Sequence, residues 1–346
     1  MKKTVLIALL VLAVSCGQKP HYIAVSGYTQ GGAYTVKFSS RDVVASREEI
    51  RDGIDSILTL VDTTLSGYNK LSMLSRFNAG ETIRPNSIFM DIYSLSRKWF
   101  EESGGAFDVA AGPLYDAWGF GFKNDRLPSD EAVASILSSC GMARLRPSIE
   151  EALSPDGTLD PENLLLDGGA LPVLNFNAIA QGYTSDLVAQ WLRDKGVRDR
   201  LVDIGEIFCD GLNPAGKPWA VGVDRPVDGN DTPGKDIERV WYSSGGPCGI
   251  VTSGNYRKYY VVDGVKYSHT IDPRSGHPAR NNLLSATVVA PDATTADAVA
   301  TWCMVIGLDE AKSLISGRPE LEGFLIFSEG EEMKEWASEG FFTSDL

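Results

Sequence analysis

Apolar residues recur along this chain with two periods, and the switches between them mark out its elements. Tyr34, Val36 and Phe38 alternate with polar neighbours after Gln30-Gly31-Gly32, the pattern of a strand with one buried face entered through a turn. Over Arg47–Leu65 the spacing lengthens. Ile50, Ile54, Ile57, Leu58, Val61 and Leu65 share one stripe with charges between, which predicts an amphipathic helix broken at Ser66-Gly67. Further helix is expected over Ser72–Asn78 and Ile88–Ser103, the second stopping at Gly104-Gly105. Phe107–Phe122 is aromatic, glycine-rich and without period, so it reads as a loop that either lines the core or walls a ligand. Leu127–Ala143 reads as a polar helical connector. Leu164–Asp167 and Val173–Phe176 read as two short strands. Ala178–Lys195 reads as a helix with Ile179, Tyr183, Leu187, Trp191 and Leu192 on one stripe and Gly196 as its stop.

The second half continues the pattern. Leu201–Ile204, Trp219–Val223 and Leu284–Val289 read as strands, and Pro226–Ile237, rich in Gly, Pro and Asp, as an exposed loop. Thr252–Tyr260 and Val261–Val265 are expected to form a hairpin about Asp263-Gly264. Gly323–Phe327 and Glu332–Trp336 read as edge strands. A helix starting within Pro291–Thr295 and running to about Ile306 is apolar on nearly every side, so it is expected to be buried. The sequence carries no convincing internal repeat. These elements predict one large α+β domain, with mixed or antiparallel sheets and helices packed on them.

Composition narrows the chemistry. Thirty-two Lys and Arg against 46 Asp and Glu give a net charge of −14, which speaks against nucleic acid as a partner. A phosphate ligand would have to be held by backbone N–H groups, a cation or a bound metal. Residues 1–16 have the form of an export leader. Lys2 and Lys3 precede an apolar run, Thr4–Val14, too short to span a membrane, and Ser15-Cys16-Gly17 follows. This predicts bacterial lipoprotein processing with Cys16 lipidated as a membrane anchor, or else ordinary secretion with cleavage nearby. Residues 17–27 would then be a tether and 28–346 the domain. Cys140, Cys209, Cys248 and Cys303 lie far apart with no C-x-x-C pair. Cys303 falls in the apolar helix as a core residue, and a disulfide among the others is left open. The phosphate-binding G-x-x-x-x-G-K-[ST] loop, the dinucleotide fingerprint in its strand–turn–helix context, H-E-x-x-H and the G-x-S-x-G elbow are all missing.

Two short segments remain as carriers of chemistry. Tyr267–Gly276 sets His269, one of three histidines, three residues before Asp272. His269 is either a hydrogen-bonded structural residue or a proton-transfer group. Asp297 and Thr301, four apart, fall on one face of the apolar helix. A lone buried carboxylate costs several kcal/mol, so Asp297 calls for a partner: a divalent cation shared with Thr301, or an Arg or Lys from elsewhere.

Taken in order, these segments resemble the ApbE-type FAD:protein FMN transferases, from about Gln30 to beyond Gly307. The resemblance is carried by Gly31-Gly32-Ala33-Tyr34, by Tyr68 to Ser72 and Asn78, and by Phe107–Leu114 with Trp118–Gly121. Ser253-Gly254-Asn255-Tyr256, Ser268–Gly276 and Asp297 with Thr301 complete it. The chain departs from the family pattern at Gln181, where Lys is frequent, at Asn175, where Asp is common, and at Ile204-Gly205-Glu206, with a single glycine. The resemblance implies an Mg2+-dependent enzyme that moves FMN from FAD onto a Thr or Ser hydroxyl of an acceptor flavoprotein and releases AMP. It implies an FAD site of Gln30, Tyr68, Ala110, Ala111, Asn175, Gln181 and Ile271. It implies a metal site of Ala178, Asp297 and Thr301. His269 would be the general base, its ordinary pKa of about 6.5 suiting neutral pH. The acceptor would be a subunit of a membrane redox complex, and the enzyme a lipoprotein facing the periplasm or cell exterior. The rivals are a magnesium-dependent FAD pyrophosphatase, with water as nucleophile, and a non-enzymatic FAD-binding lipoprotein.

Overall fold

The structure, a computed structural model, describes residues 22–342 apart from 42, 44, 121–126, 146–147, 166–168, 231, 257–258 and 263–264. The expected leader, with Cys16, lies outside the described residues. The chain opens with a hairpin of β1 (Tyr22–Thr29) and β2 (Gly32–Ser39), in which Tyr22 faces Ser39. The alternation of β2 is borne out, since Tyr34, Val36 and Phe38 are buried. Residues 22–27, expected as tether, are strand instead. Only Val25 among them is buried, so they carry too little alternation to be read.

Helix α1 (Arg47–Leu65) occupies the expected span and starts at a Ser46/Glu49 capping box. Helices α2 (Met73–Asn78) and α3 (Ser87–Glu102) follow, capped by Ser72 and Asn86. The segment expected as a long loop contains α4 (Gly112–Ala117), in which Pro113 sits at the start. Helices α5 (Asp130–Leu137) and α6 (Ile149–Ala152) are short. Of the two strands expected next, Leu164–Asp167 falls partly outside the described residues, and Val173–Phe176 is not formed. Pro161–Leu164 is a single 3-10 turn. The stretch 173–176 pairs with no strand, because its backbone groups are met elsewhere. Asn78 accepts the Leu174 N–H and donates to the Leu174 carbonyl, both at 2.8 Å, and the Asn175 N–H donates to the Val109 carbonyl at 2.7 Å.

Helix α7 (Ala180–Asp194) leads into β3 (Arg200–Asp203) and β4 (Ile207–Asp210). The hairpin of β5 (Ala220–Asp224) and β6 (Ile237–Tyr242) comes before β7 (Cys248–Gly254). The expected hairpin about residues 263–264 is built from β8 (Tyr259–Val262) and β9 (Val265–Ser268), whereas Thr252–Gly254 belong to β7. A two-residue pair, β10 (Ile271–Asp272) and β11 (His277–Pro278), precedes β12 (Leu283–Ala290). Helices α8 (Ala293–Ile306) and α9 (Leu308–Ser316) and strands β13 (Glu322–Glu329) and β14 (Glu332–Ala337) complete the chain.

Eight strands make one sheet in the order β1-β2-β3-β4-β7-β12-β13-β14, antiparallel at every junction. The α+β architecture is therefore as expected, with the sheet antiparallel throughout. The β5–β6 hairpin packs its Trp219, Val221, Val223 and Trp241 against sheet residues Leu201, Cys209, Cys248 and Ile250. The helical layer packs elsewhere on the sheet, with α8 against β7 and β12 and α7 against α8. Helix α8 is buried almost all round, as its composition predicts. It can approach β7 because Gly249 has no side chain: a Cβ there would lie 2.3 Å from the Cα of Ala293.

Candidate active site

The end of β7, the start of α7, the middle of α8 and the segment after β9 enclose a cavity of about 330 Å³, within the range of small-molecule sites. Asp297 and Thr301 line it from α8. Asp297 is 4% exposed, and its Oδ2 accepts the Gly182 N–H from the first turn of α7 at 3.0 Å. Among the described residues, its other oxygen takes no hydrogen bond and no Lys or Arg pairs with it. Burial pushes its carboxyl up to about 7, against the Gly182 hydrogen bond and helped by the nearby Asp186 charge.

Asp186 explains how α8 is aimed. From α7 it accepts the Ala293 and Thr294 N–H groups at 2.9 and 2.8 Å and the Thr294 hydroxyl, so it holds the free N–H groups of the first turn of α8. Gly182 makes the crossing possible. A Cβ there would stand 2.3 Å from the Ala293 carbonyl oxygen and 2.8 Å from Asp297 Cβ.

Ala178, Asn175 and Gln181 line the same cavity around the start of α7. Gly205, at φ +89°, lies under Gln181, where a Cβ would come within 2.7 Å of Nε2, and Glu206 then reaches the cavity. His269 enters from the turn between β9 and β10, with its ring edge-on to Phe120 at 6.3 Å. Trp118 ties down the strands on either side of it: its Nε1 donates to the Gly276 carbonyl ahead of β11 at 2.7 Å, and its ring stacks on Tyr267 of β9. Asp272 does not serve His269. It accepts the backbone N–H and the guanidinium of Arg274 at 2.9 Å and so closes its own turn. Tyr68 stands at the mouth, 70% exposed.

Gln30, Ala110, Ala111 and Ile271 do not line the cavity. Ala110, Ala111 and Ile271 are core residues, 1%, 1% and 0% exposed. Gln30 holds a left-handed backbone at φ 48° in the β1–β2 turn and donates from Nε2 to Thr184 Oγ1 of α7 at 2.8 Å. Polar residues that sequence left without a role also line it, among them Asp108, Tyr115 and Glu206. Asp108 accepts the Ala110 N–H at 2.8 Å and the Met142 N–H at 3.0 Å, and burial pushes its carboxyl up to about 6. The signal for Asp108 was its place beside Phe107 in the Phe-Asp motif.

The walls thus combine an unmatched carboxylate, a hydroxyl and backbone oxygens with an imidazole and several amide side chains. Asp297, Thr301 and Ala178 line one cavity and carry hard oxygens of the kind a divalent cation takes. The set fits magnesium.

Comparisons with known proteins converge on one family. The sequence profile of the ApbE family matches residues 31–325. The chain is 32% identical to the FAD:protein FMN transferase of Vibrio cholerae serotype O1 over 343 residues, covering 97% of each. It is 31% identical to the FAD:protein FMN transferase of Escherichia coli K12, covering 98% of this chain and 96% of that protein. Among solved structures, the flavin transferase ApbE from Vibrio cholerae superposes with a TM-score of 0.77 at 29% identity over 93% of this chain and 98% of that one. The apo form of the flavinyl transferase ApbE from Pseudomonas stutzeri gives 0.78 at 29% identity over 94% and 98%.

Proposed function

The chain belongs to the ApbE family, and on that premise we propose that it is an FAD:protein FMN transferase. The observation that carries this reading is the single cavity shared by Asp297, Thr301, Ala178 and His269. A metal-competent acid and a proton acceptor face one volume, which is what displacement at a diphosphate needs. In the reaction, the acceptor Thr or Ser oxygen bonds to the phosphorus on the FMN side of FAD. The bond from that phosphorus to the bridging oxygen breaks, AMP leaves, and the hydroxyl proton passes to His269 Nδ1 or Nε2. Asp297, Thr301 and Ala178 would hold magnesium, which when bound neutralises charge on the diphosphate oxygens. Asn175 and Gln181 would hydrogen-bond the nucleotide; Gln181, being neutral, gives no ion pair to phosphate. Tyr68, at the mouth, offers a ring for the flavin to stack on.

The same reading takes the acceptor to be a flavoprotein subunit of a membrane redox complex, met outside the cytoplasm. It takes the chain to be anchored through a lipidated Cys16, for which the Lys2-Lys3 start and the Ser15-Cys16-Gly17 junction are the support. The test is incubation of the full chain with FAD, magnesium and a Thr-bearing acceptor domain, read by intact mass. Gain of the mass of FMN by the acceptor, with AMP released, is expected. Free FMN and AMP with an unmodified acceptor would instead identify a pyrophosphatase, and intact FAD under all conditions a carrier.

A further inference from the structure

We propose that Cys209 and Cys248 are a disulfide-forming pair that staples the base of the β5–β6 excursion. They are direct partners in the antiparallel register of β4 and β7, and their sulfurs stand 3.7 Å apart as thiols. Residues directly opposite in an antiparallel ladder have Cα atoms about 4.5–5.5 Å apart, inside the window of about 4.4–6.8 Å that a disulfide bridges. The bond therefore forms by side-chain rotation, with the two strands kept in register. Among the described cysteines neither has another choice. Cys140 and Cys303 are buried in two separate clusters, one around Trp118 and one along α8, whereas Cys209 and Cys248 share the cluster beneath the β5–β6 hairpin.

The position has consequences for the fold and for the cavity. Everything between the two cysteines is the excursion that carries Trp219 and Trp241 onto the sheet, so the bond closes a loop of about 40 residues, a span for which cross-linking removes much unfolded-state freedom. Cys209 lies three residues after Glu206, and Cys248 four before Thr252, and both of these line the cavity. Both sulfurs are buried, 0% and 8% exposed, so the exchange takes place while the hairpin is still open, during folding in an oxidising compartment. The oxidant is an external disulfide of the thiol-exchange class. One cysteine attacks it to give a mixed disulfide, and the second displaces the remaining thiol. One Sγ–Sγ bond forms, the external one breaks, and two protons and two electrons end on the released thiols.

The test needs no assumption about the transfer reaction. The full chain is refolded with oxidised glutathione, denatured, alkylated without reductant and mapped by peptide mass. Cys140 and Cys303 should be alkylated, with the Cys209 and Cys248 peptides recovered joined and alkylated only after reduction. Thermal unfolding should shift down by about 5–10 °C on adding reductant. The Cys209→Ala/Cys248→Ala double variant should ignore reductant, while Cys140→Ala keeps the full shift. Alkylation of Cys209 and Cys248 without prior reduction, a different pairing, or a wild-type midpoint indifferent to reductant would overturn it. The peptide map decides even where a variant fails to fold.

Discussion

Asp297→Asn should make the metal-free protein more stable while removing its response to magnesium. The side chain is 4% exposed and receives one hydrogen bond, from Gly182, which an Asn carbonyl can accept equally. Burial raises the carboxyl from 3.8 to about 7. Holding it ionised therefore costs the folded state on the order of 4 kcal/mol, at 1.36 kcal/mol for each tenfold change. Between about pH 4 and pH 7 the folded chain keeps a proton that the unfolded chain has lost. Stability falls as pH rises through that window and levels off above it. Asn carries no charge and escapes the fall. At about pH 8 without metal, the variant should melt roughly 5–10 °C above the wild type, and at about pH 4 the two should nearly coincide. Magnesium should raise the wild-type midpoint by mass action on the folded state and leave the variant unmoved. The assay is thermal unfolding at both pH values, with and without magnesium. An Asp297→Asn chain that is less stable than wild type at about pH 8, or that keeps the magnesium shift, would refute the view that this carboxylate is held for a cation.

His269→Ala should leave FAD affinity within about threefold and lower FMN transfer by about 10²–10⁴, as removal of a general base does; fluorescence titration beside single-turnover transfer checks both. Gly182→Ala pushes a methyl to 2.3 Å from the Ala293 carbonyl, so it should cost about 2–4 kcal/mol in denaturant unfolding and remove magnesium-dependent activity with it. Phe176→Ala empties a site 1% exposed, where the ring meets Phe89 edge-on at 5.9 Å, and should lose about 3–5 kcal/mol. Tyr68→Ala should do the reverse of a core change: unfolding shifts by less than about 0.5 kcal/mol because the ring is 70% exposed, while FAD binding weakens measurably by titration.

What could be read from sequence follows from where each contact is made. Helices α1 and α8 and strand β2 bury a face along their own length, so period and composition gave their spans. Strand β6 buries only Trp241 of its six residues and shows no period, which is why only Ile237, at the end of the expected loop, fell in any expected element and the rest went unread. The supposed strand at 173–176 is apolar enough, yet its backbone is satisfied by Asn78, 96 positions away, a partner that no local pattern can announce. Asp297 was visible because a carboxylate in a helix apolar on every side is an anomaly within one element. Asp108 and Glu206 reach the cavity only after the chain is folded, and the Cys209–Cys248 pairing needs the β4–β7 register.

The buried acids differ in how completely the fold answers them, and that difference is what supports the proposed cation at one of them. Asp108, Asp186 and Asp297 all lie in or beside the same site, and burial raises all three. Asp108 is met by the Ala110 and Met142 N–H groups. Asp186 is met by two N–H groups and a hydroxyl at the head of α8. Both are answered by the fold and serve to fix a loop and a helix. Among the described residues, Asp297 is answered on one oxygen only, by Gly182, whose missing side chain also sets how closely α7 and α8 approach. The two helices are thus brought together at the one carboxylate of the three that the protein leaves incomplete, with Thr301 one turn along and Ala178 across the cavity. A fold stabilised for its own sake would place an apolar residue of similar size there. Retaining the acid makes sense where its second oxygen is completed by a ligand from outside the chain.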